Sequence, residues 1–372
     1  MRIGIVTLPL YTNYGGLLQA YALQTVLKEM GHTPVTFTQA PHLPANKFLL
    51  PLKWIKRGIY NCIQSKKTPI FLEMVFRKTY PIVSQHTQKF IDRNITTQRI
   101  SSFKELKEQD FDALVVGSDQ IWRPMYFHHI EAAFLDFASG WNVKKLSYAA
   151  SFGTDTWEYT KKQETTCKEL IRQFNRVSVR ETSGITLCKE YLNKEATCVL
   201  DPTLLLTPQQ YISLFQNQSV PQSPGNLLVY ILDESEDKKK VINLCQQKQY
   251  IPFYVNSKVD DLSCSIEERI QPPVEAWLRG FFDAQMVITD SFHACVFAIL
   301  FNKPFLVYGN KGRGMSRFHS ILSLFDLEER LISSPDEAES RLFKEIDWNH
   351  VNSKLEGLRK NSLDFLKECL AV

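Results

Sequence analysis

Short runs of apolar residues alternate along the chain with longer segments in which apolar residues recur every three or four positions. The short runs predict buried strands, at residues 3–8, 35–37, 113–116, 145–149, 176–179, 197–200, 227–232, 252–255 and 287–289. The longer segments predict helices, at residues 17–30, 156–174, 237–247 and 274–282. Because strands and helices alternate, the pattern favours parallel sheets with helices on both faces.

A polar stretch divides this pattern into two parts. Residues 216–226 contain two prolines and a glycine among polar residues, which is typical of a linker. The sequence therefore predicts an α/β fold with two Rossmann-like domains, residues 1–215 and 227–345, that face a cleft. Residues 346–372 contain an amphipathic helix that we expect to pack back on the first domain. Ligands of such sheets bind beyond the carboxyl ends of the strands, so the cleft is the expected site.

Composition and charge exclude several classes of protein. The 372 residues carry a formal net charge of +4, which is too small to indicate a nucleic-acid-binding protein. The eight cysteines are scattered, without CxxC pairs or a zinc-like spacing to histidine, so we expect free thiols in a cytoplasmic protein and no metal site. No GxGxxG follows the first strand and no GxxxxGK[ST] occurs, so no cofactor is expected. No apolar run is long enough to span a bilayer.

A histidine and several cations follow predicted strands. Asp290 is interpreted as the N-cap of a helix that holds His293 near its third position, where free N–H groups and the helix dipole favour an anion. Lys311 and Arg313 lie on the loop after the next strand, and Arg180 follows a strand of the first domain. These positions could converge on a small, highly charged anion. The alternative is that the cations are solvated and that His293 only forms part of a helix start.

Two strand ends in the first domain carry polar loops. Asp119 lies at the base of the loop in "VVGSDQIW", beside Gln120, and could deprotonate a hydroxyl group. Asn13 and Gly15 precede the first helix, in a turn at residues 13–16 whose backbone could hold a phosphate or a sugar hydroxyl. We take these four residues as candidates for binding an acceptor. The alternatives are an aspartate that caps a turn and a tight strand-to-helix turn without a ligand.

A set of fragments, in their order and spacing, resembles the polysaccharide pyruvyl transferase family. The fragments are "NYGGLLQAYAL", "VVGSDQIW", "SYAASFGT", "SVRE", "VLDPTLLL", "TDSFHACVFAILFNKPF" and "GNKGRGMSR". The resemblance implies a two-domain fold similar to the GT-B arrangement of glycosyltransferases. It also implies an enzyme that moves pyruvate from phosphoenolpyruvate to a sugar as a ketal, with release of phosphate, during surface or capsular polysaccharide biosynthesis.

The resemblance also implies which residues bind phosphoenolpyruvate. The matching positions are Arg180, His293 and Lys311, and we assign Ser291 and Arg313 to the same site. Arginine and lysine suit a ligand that carries a carboxylate and a phosphate. A histidine suits the proton transfer to the methylene carbon, because its pKa lies near neutrality. His293 and Asp119 are therefore the predicted catalytic residues. Two alternatives stay open: a GT-B glycosyltransferase that uses a nucleotide sugar, and a non-catalytic sugar-binding relative.

Residues 47–67 combine basic residues with aromatic and aliphatic ones. The segment contains six Lys or Arg and no Asp or Glu. This composition suits the headgroup boundary of an anionic membrane, so we predict a peripheral contact with the inner membrane face and a lipid-linked sugar acceptor. The alternative is an ordinary surface helix whose apolar side packs on the first domain. Pro51 and Gly58 are expected to interrupt a long helix here.

Overall fold

The structure is a computed structural model that describes residues 1–39, 49–64, 69–309 and 315–371. Within these ranges, parallel strands form two separate sheets, and helices lie between the strands along the chain. The α/β fold with two Rossmann-like sheets is therefore the fold that the alternating pattern predicts.

The first sheet contains five parallel strands in the order β3-β2-β1-β4-β5. Numbered along the chain, they are β1 (Arg2–Val6), β2 (Thr33–Thr38), β3 (Thr97–Arg99), β4 (Ala113–Val116) and β5 (Lys144–Ser147). Single bridges extend the sheet to two short parallel strands, β6 (Ser178–Val179) and β7 (Thr197–Cys198). The strand order reverses between the neighbours β1 and β4, which makes their carboxyl ends the expected ligand position.

Within the described residues, seven α-helices lie in the first part of the chain. They are α1 (Tyr14–Glu29), α2 (Leu50–Gln64), α3 (Leu72–Val83), α4 (Gln85–Asn94), α5 (Lys161–Ile171), α6 (Thr182–Leu192) and α7 (Pro208–Gln216). The predicted interruption of α2 is wrong, since the helix is continuous. Pro51 lies in its first turn, where the missing N–H has no helical partner in any case.

Two predicted helix starts are wrong for the same reason. Asn13 is the N-cap of α1, and its Oδ1 accepts hydrogen bonds from the N–H groups of Gly15 and Gly16, so the predicted turn is the first helical turn. Thr160 forms a capping box with Gln163 and starts α5 later than the periodicity suggested. In both cases a side chain that satisfies free N–H groups fixes the boundary, which apolar spacing alone does not show.

The second sheet has five parallel strands in the order β12-β11-β10-β8-β9. The strands are β8 (Leu227–Tyr230), β9 (Pro252–Tyr254), β10 (Met286–Thr289), β11 (Phe305–Tyr308) and β12 (Leu331–Ile332). The helices of this part are α8 (Glu236–Gln247), α9 (Ile266–Arg269), α10 (Val274–Asp283), α11 (Phe292–Leu300), α12 (Met315–Leu324), α13 (Pro335–Arg341) and α14 (Trp348–Leu370). The three central strands β11, β10 and β8 and the helix α11 are buried, which explains their continuous apolar runs.

One hydrophobic core joins the two sheets. It includes residues of β1 and α1 together with residues of β8, β10, α10 and α11. The Tyr14 ring of α1 packs on Trp277 at 5.5 Å between centroids, and its hydroxyl donates to the carbonyl oxygen of Pro272 at 2.8 Å. The last helix, α14, packs on the first sheet, where Ser362 Oγ accepts from the N–H of Leu200 at 3.0 Å. The exact domain limits stay a prediction.

Candidate functional site

Strand ends of both sheets bring charged side chains together where the two sheets meet. Asp119 follows β4, Arg180 follows β6, and Asp201 lies shortly after β7. His293 lies in the first turn of α11, which follows β10, and Arg317 lies in the first turn of α12. The site is therefore assembled from four strand ends and from helices of the second sheet, as expected for a parallel α/β protein.

Arg180 lies at the centre of a buried group of carboxylates. Its Nη1 donates to Asp201 Oδ2 at 2.8 Å, and its Nη2 donates to Asp119 Oδ1 at 3.2 Å. Its Nε lies 3.7 Å from Glu181 Oε2, and the side chains of all four residues are at most 5 % exposed. Because water is excluded here, these ion pairs are screened far less than surface pairs. Arg180 thus holds the two aspartates in place.

Asp119 has a backbone conformation that few side chains adopt. Its φ is +65°, in the left-handed region. The conformation is fixed from both sides, because the Asp119 carbonyl oxygen accepts from the N–H groups of Ile121 and Ser151. Burial would raise the pKa of the Asp119 carboxyl, but the nearby Arg180 and His293 outweigh it and hold the pKa below its usual value. Asp119 is therefore a carboxylate at neutral pH.

Asp201 connects the carboxylate group to His293. Its Oδ2 accepts from Ser118 Oγ at 3.1 Å, and its Oδ1 accepts from Thr203 Oγ1 at 2.7 Å. The Nε2 of His293 lies 3.6 Å from Asp201 Oδ2. Burial would raise the pKa of Asp201, but the His293 ring and the Arg180 guanidinium hold it well below its usual value. Asp201 therefore presents a negative charge to His293.

The start of α11 differs from its prediction. Asp290 is not the N-cap, because its carboxylate accepts from the N–H of Leu232 at 2.7 Å and from Lys238 Nζ at 2.7 Å. Ser291 occupies the cap position, its side chain makes no capping hydrogen bond, and His293 is the second helical residue. Asp290 instead joins the ends of β10 and β8, a long-range contact that local sequence does not reveal. Among the described residues, the N-cap side chain of α11 makes no hydrogen bond to the first N–H groups of the helix, next to His293.

The His293 ring lies against the backbone of Gly15 in the other domain. A methyl group at Gly15 would be 2.0 Å from His293 Nδ1 and 2.3 Å from its Cγ. Only a residue without a side chain allows this approach. The His293 Nε2 is buried and makes no hydrogen bond with any residue that the structure describes. One ring nitrogen thus faces Gly15, and the other faces the carboxylate group.

Gly15→Ala is expected to destabilise the protein by about 1–3 kcal/mol, because the added methyl group forces the ring away. Gly16→Ala is a matched control in the same helical turn, where the nearest atom would be 3.8 Å away. Alanine has the higher helix propensity at both positions, so the control should be neutral or slightly stabilising. Urea denaturation measures both, and equal stability of the two variants would contradict the contact between Gly15 and His293.

Three residues that the sequence analysis did not single out complete the site. Arg317 is buried, and burial together with the charge of Arg180 lowers its pKa to about 10. Both guanidinium groups lie near the Phe292 ring, at 4.4 Å for Arg180 and 5.5 Å for Arg317. Glu181 follows β6 and Asp201 follows β7, each within three residues of the strand end. Their position after a strand is the feature of the sequence that indicates a site residue. An anion would stabilise two arginines held this close together.

Glu181 differs from the two aspartates. Its Oε1 accepts from the N–H groups of Phe152 at 2.8 Å and Gly153 at 3.3 Å, whereas its Oε2 has no hydrogen-bond partner among the described residues. Burial raises the pKa of Glu181, and the nearby Arg180 offsets this only in part. The direction of its pKa shift is thus opposite to that of the two aspartates.

Two of the other predicted site residues, Asn13 and Gln120, have contacts that belong to the fold. Asn13 caps α1 through its side-chain oxygen. Gln120 accepts from Arg123 Nη1 at 3.2 Å and packs against Gly153. Lys311 and Arg313 lie outside the described residues. Within the described ranges, no three His, Cys, Asp or Glu side chains are grouped as metal ligands.

Solved structures share the arrangement of the two domains. The complex of S. aureus MnaA with UDP superposes with a TM-score of 0.51 at 10 % identity, over 99 % of this chain and 96 % of that chain. UDP-GlcNAc 2-epimerase from Neisseria meningitidis bound to UDP-GlcNAc superposes with a TM-score of 0.50 at 11 % identity, over 100 % of this chain and 99 % of that chain. Arabidopsis thaliana UGT89C1 complexed with UDP-L-rhamnose gives 0.50 at 11 %, over 99 % of each. At such low identity these similarities show the fold alone, and they confirm the GT-B-like arrangement.

Sequence comparison identifies the family. No curated protein sequence matches the chain beyond chance. The family model described as "Polysaccharide pyruvyl transferase" matches residues 13–312, which include every residue of the cluster except Arg317. This match covers most of the chain and confirms the resemblance carried by the seven fragments. The chain belongs to the polysaccharide pyruvyl transferase family.

Proposed function

We propose that the protein transfers pyruvate from phosphoenolpyruvate to two hydroxyl groups of a sugar, forming a ketal and releasing phosphate during the synthesis of a surface or capsular polysaccharide. Family membership supports the reaction class. The observation that carries the proposal is the position of His293. Its Nε2 is buried, makes no hydrogen bond with the described residues, and lies 3.6 Å from Asp201 in the cleft between the domains. A proton carrier in such a place fits acid catalysis on a bound anion.

In the proposed reaction, protonated His293 gives its proton to the methylene carbon of phosphoenolpyruvate, which becomes a methyl group. Positive charge then develops at the central carbon, and Asp119 and Asp201 stabilise it. One sugar hydroxyl attacks that carbon, the C–O bond to phosphate breaks, and the second hydroxyl closes the ketal. Of the two hydroxyl protons, one leaves with phosphate and the other restores His293, so the atoms balance.

The proposed phosphoenolpyruvate site needs positive charge, because the substrate carries a phosphate and a carboxylate. Burial and the charge of Arg180 lower the pKa of Arg317, and a phosphate or carboxylate bound nearby would favour the charged form of its guanidinium group. In the proposal Lys311 and Arg313, which follow β11 in the sequence, supply further positive charge, and Ser291 at the start of α11 contributes its hydroxyl group. In the proposal Arg180 attracts the substrate by its nearby positive charge, and it also holds Asp119 and Asp201 in place. Its direct contact with phosphoenolpyruvate requires the exchange of one ion pair.

The acceptor side is assigned to the first domain. Asp119, Asn13, Gly15 and Gln120 lie at the ends of β1 and β4, where the strand order reverses. The lowered pKa of Asp119 makes it a weak base. A weak base is sufficient here, because the sugar hydroxyl attacks a carbon that already carries positive charge and loses its proton late.

The test is incubation of the protein with phosphoenolpyruvate and a panel of nucleotide-linked and lipid-linked sugars. Phosphate release and the mass of the sugar product are measured in the same samples. We expect phosphate release that depends on one acceptor, with a pyruvyl adduct on that acceptor. A parallel panel contains nucleotide sugars as donors, because the structural neighbours with UDP ligands share the fold. Release of a nucleotide diphosphate, or no turnover in either panel, would contradict the proposal.

A further inference from the structure

Helices α2 and α3 carry a surface that is unusually apolar for an exposed region. Six large apolar side chains between 42 % and 65 % exposed define it, and we call them the outer patch: Leu52, Ile55, Ile59, Ile70, Phe71 and Met74. A group of exposed apolar side chains on two adjoining helices marks an interaction site more often than isolated residues do. No helix within the described residues is long and apolar enough to cross a membrane.

The orientation of α2 is the reverse of that of an ordinary surface helix. Leu52, Ile55 and Ile59 lie on one side of the helix, because they are three and four residues apart, and this side is exposed. The opposite side packs on α3, where Trp54 lies 4.9 Å from the Phe71 ring. The alternative that the apolar side of this helix packs on the first domain is therefore wrong for these residues.

An ion pair fixes this orientation. Arg57 donates from both terminal nitrogens to the Glu73 carboxylate, at 3.1 and 2.9 Å, and Trp54 Nε1 donates to the same carboxylate at 3.2 Å. The hydrogen bonds from Arg57 lower the pKa of Glu73 to about 2. The polar contacts thus lie between the two helices, and the apolar side chains of α2 point away from α3.

Positive charge surrounds the outer patch. In residues 49–64 and 69–82 the charged side chains are Lys53, Lys56, Arg57, Arg77 and Lys78 against Glu73, a net charge of 5 − 1 = +4. The whole chain has a net charge of +4, so this small region carries as much as the entire protein. Two copies related by a two-fold axis would bring these like charges together, which disfavours a homodimer through this surface. An apolar patch within a basic border is complementary to an anionic lipid surface.

We propose that the outer patch docks reversibly on an anionic lipid bilayer, with Leu52, Ile55 and Ile59 at the boundary between headgroups and acyl chains. This inference goes beyond the proposed function and does not depend on it, because binding to lipid can be measured without substrates. The basic residues then contact anionic headgroups, and salt weakens the attachment.

Helix α3 connects the outer patch to the loop that precedes α1, next to the candidate site. Near the end of α3, the Tyr80 ring lies 5.3 Å from the Tyr11 ring, which belongs to the loop between β1 and α1. The distance from Phe71 to Tyr80 along the helix is about 14 Å, at 1.5 Å per residue. A docked protein would hold this loop near the bilayer surface. If the proposed function is correct, a sugar carried on a lipid phosphate is then the acceptor class that fits best.

Co-sedimentation with vesicles tests the docking. Full-length protein is mixed with vesicles of phosphatidylcholine alone, or with one third phosphatidylglycerol, at low and at high salt. We expect binding to the anionic vesicles at low salt and much weaker binding at high salt or without the anionic lipid. Lys53→Gln combined with Lys56→Gln should weaken binding by about 10- to 30-fold at low salt.

A second pair of variants separates the apolar contribution from charge. Ile55→Ser with Ile59→Ser should lower vesicle binding, while Ile251→Ser with Tyr254→Ser, at equally exposed positions near β9, should leave it unchanged. Absence of binding to anionic vesicles at low salt would overturn the proposal, and so would equal binding by both double variants. A concentration-dependent dimer in sedimentation velocity that the Ile55 and Ile59 changes abolish would assign the surface to a second copy instead.

Discussion

His293→Gln is expected to lower the turnover of phosphoenolpyruvate by about 10²–10⁴-fold, the usual contribution of one acid–base group. Glutamine is polar and similar in length, so it can stay between Gly15 and Asp201, but it cannot carry a proton at neutral pH. Substrate binding and the stability of the protein should change little. Within the described residues, His293 Nε2 makes no hydrogen bond that the substitution would remove. The loss should therefore appear in kcat rather than in KM.

Phosphate release and calorimetric binding of phosphoenolpyruvate measure the two effects separately. His319→Gln is the matched control, since His319 is an exposed histidine on α12 and should retain full activity. The pH profile of kcat provides a readout that a purely structural role would not change. The Gln variant should lose the part of the profile in which kcat falls as the proposed acid is deprotonated. A Gln variant with nearly normal turnover would leave His293 a structural residue.

Arg180→Met should lower the free energy of unfolding by about 3–5 kcal/mol at pH 7, since it leaves buried carboxylates without their cation. Methionine replaces the length of the side chain, so the loss of charge is the main change. Asp119 and Asp201 have lowered pKa values in the folded protein, so they contribute stability above their unfolded pKa and lose it as pH falls. Without Arg180 these pKa values rise, and the deficit should be smaller at pH 4.5 than at pH 7.

Urea denaturation at the two pH values measures this difference. Arg172→Met is the matched control, because Arg172 forms an ion pair with Glu169 on the surface of α5, where both side chains are more than half exposed. Exposed pairs of this kind contribute little. The buried network would be contradicted if the Arg180 variant were as stable as the Arg172 variant. It would also be contradicted if the loss in free energy of unfolding grew toward acidic pH.

The placement of the central residues could be predicted from sequence because parallel strands end at a common edge. The sequence assigns Arg180, Asp119 and His293 each to a strand end or to the helix after it. In the structure Arg180 pairs with Asp119 and Asp201, and His293 lies beside Asp201. Their proposed roles stay predictions. Arg317 was not found, since its place depends on how α12 packs rather than on a strand end.

Other features depend on contacts that a single sequence does not show. The N–H groups that donate to the Asp290 carboxylate are distant along the chain, just after β8, so a local capping rule assigns Asp290 wrongly. The orientation of α2 depends on the pair between Arg57 and Glu73. Without that pair, the apolar side of an amphipathic helix is expected to face the core.

The contact between Gly15 and His293 has a consequence for the timing of the chemistry. His293 belongs to one domain, while Gly15 and Asp201 belong to the other, so the surroundings of the proposed acid depend on the distance between the domains. A hinge opening that admits substrates would separate the ring from both. The acid would then act only in the closed enzyme, from which bulk water is excluded. Such gating would protect phosphoenolpyruvate from wasteful hydrolysis while the sugar is absent.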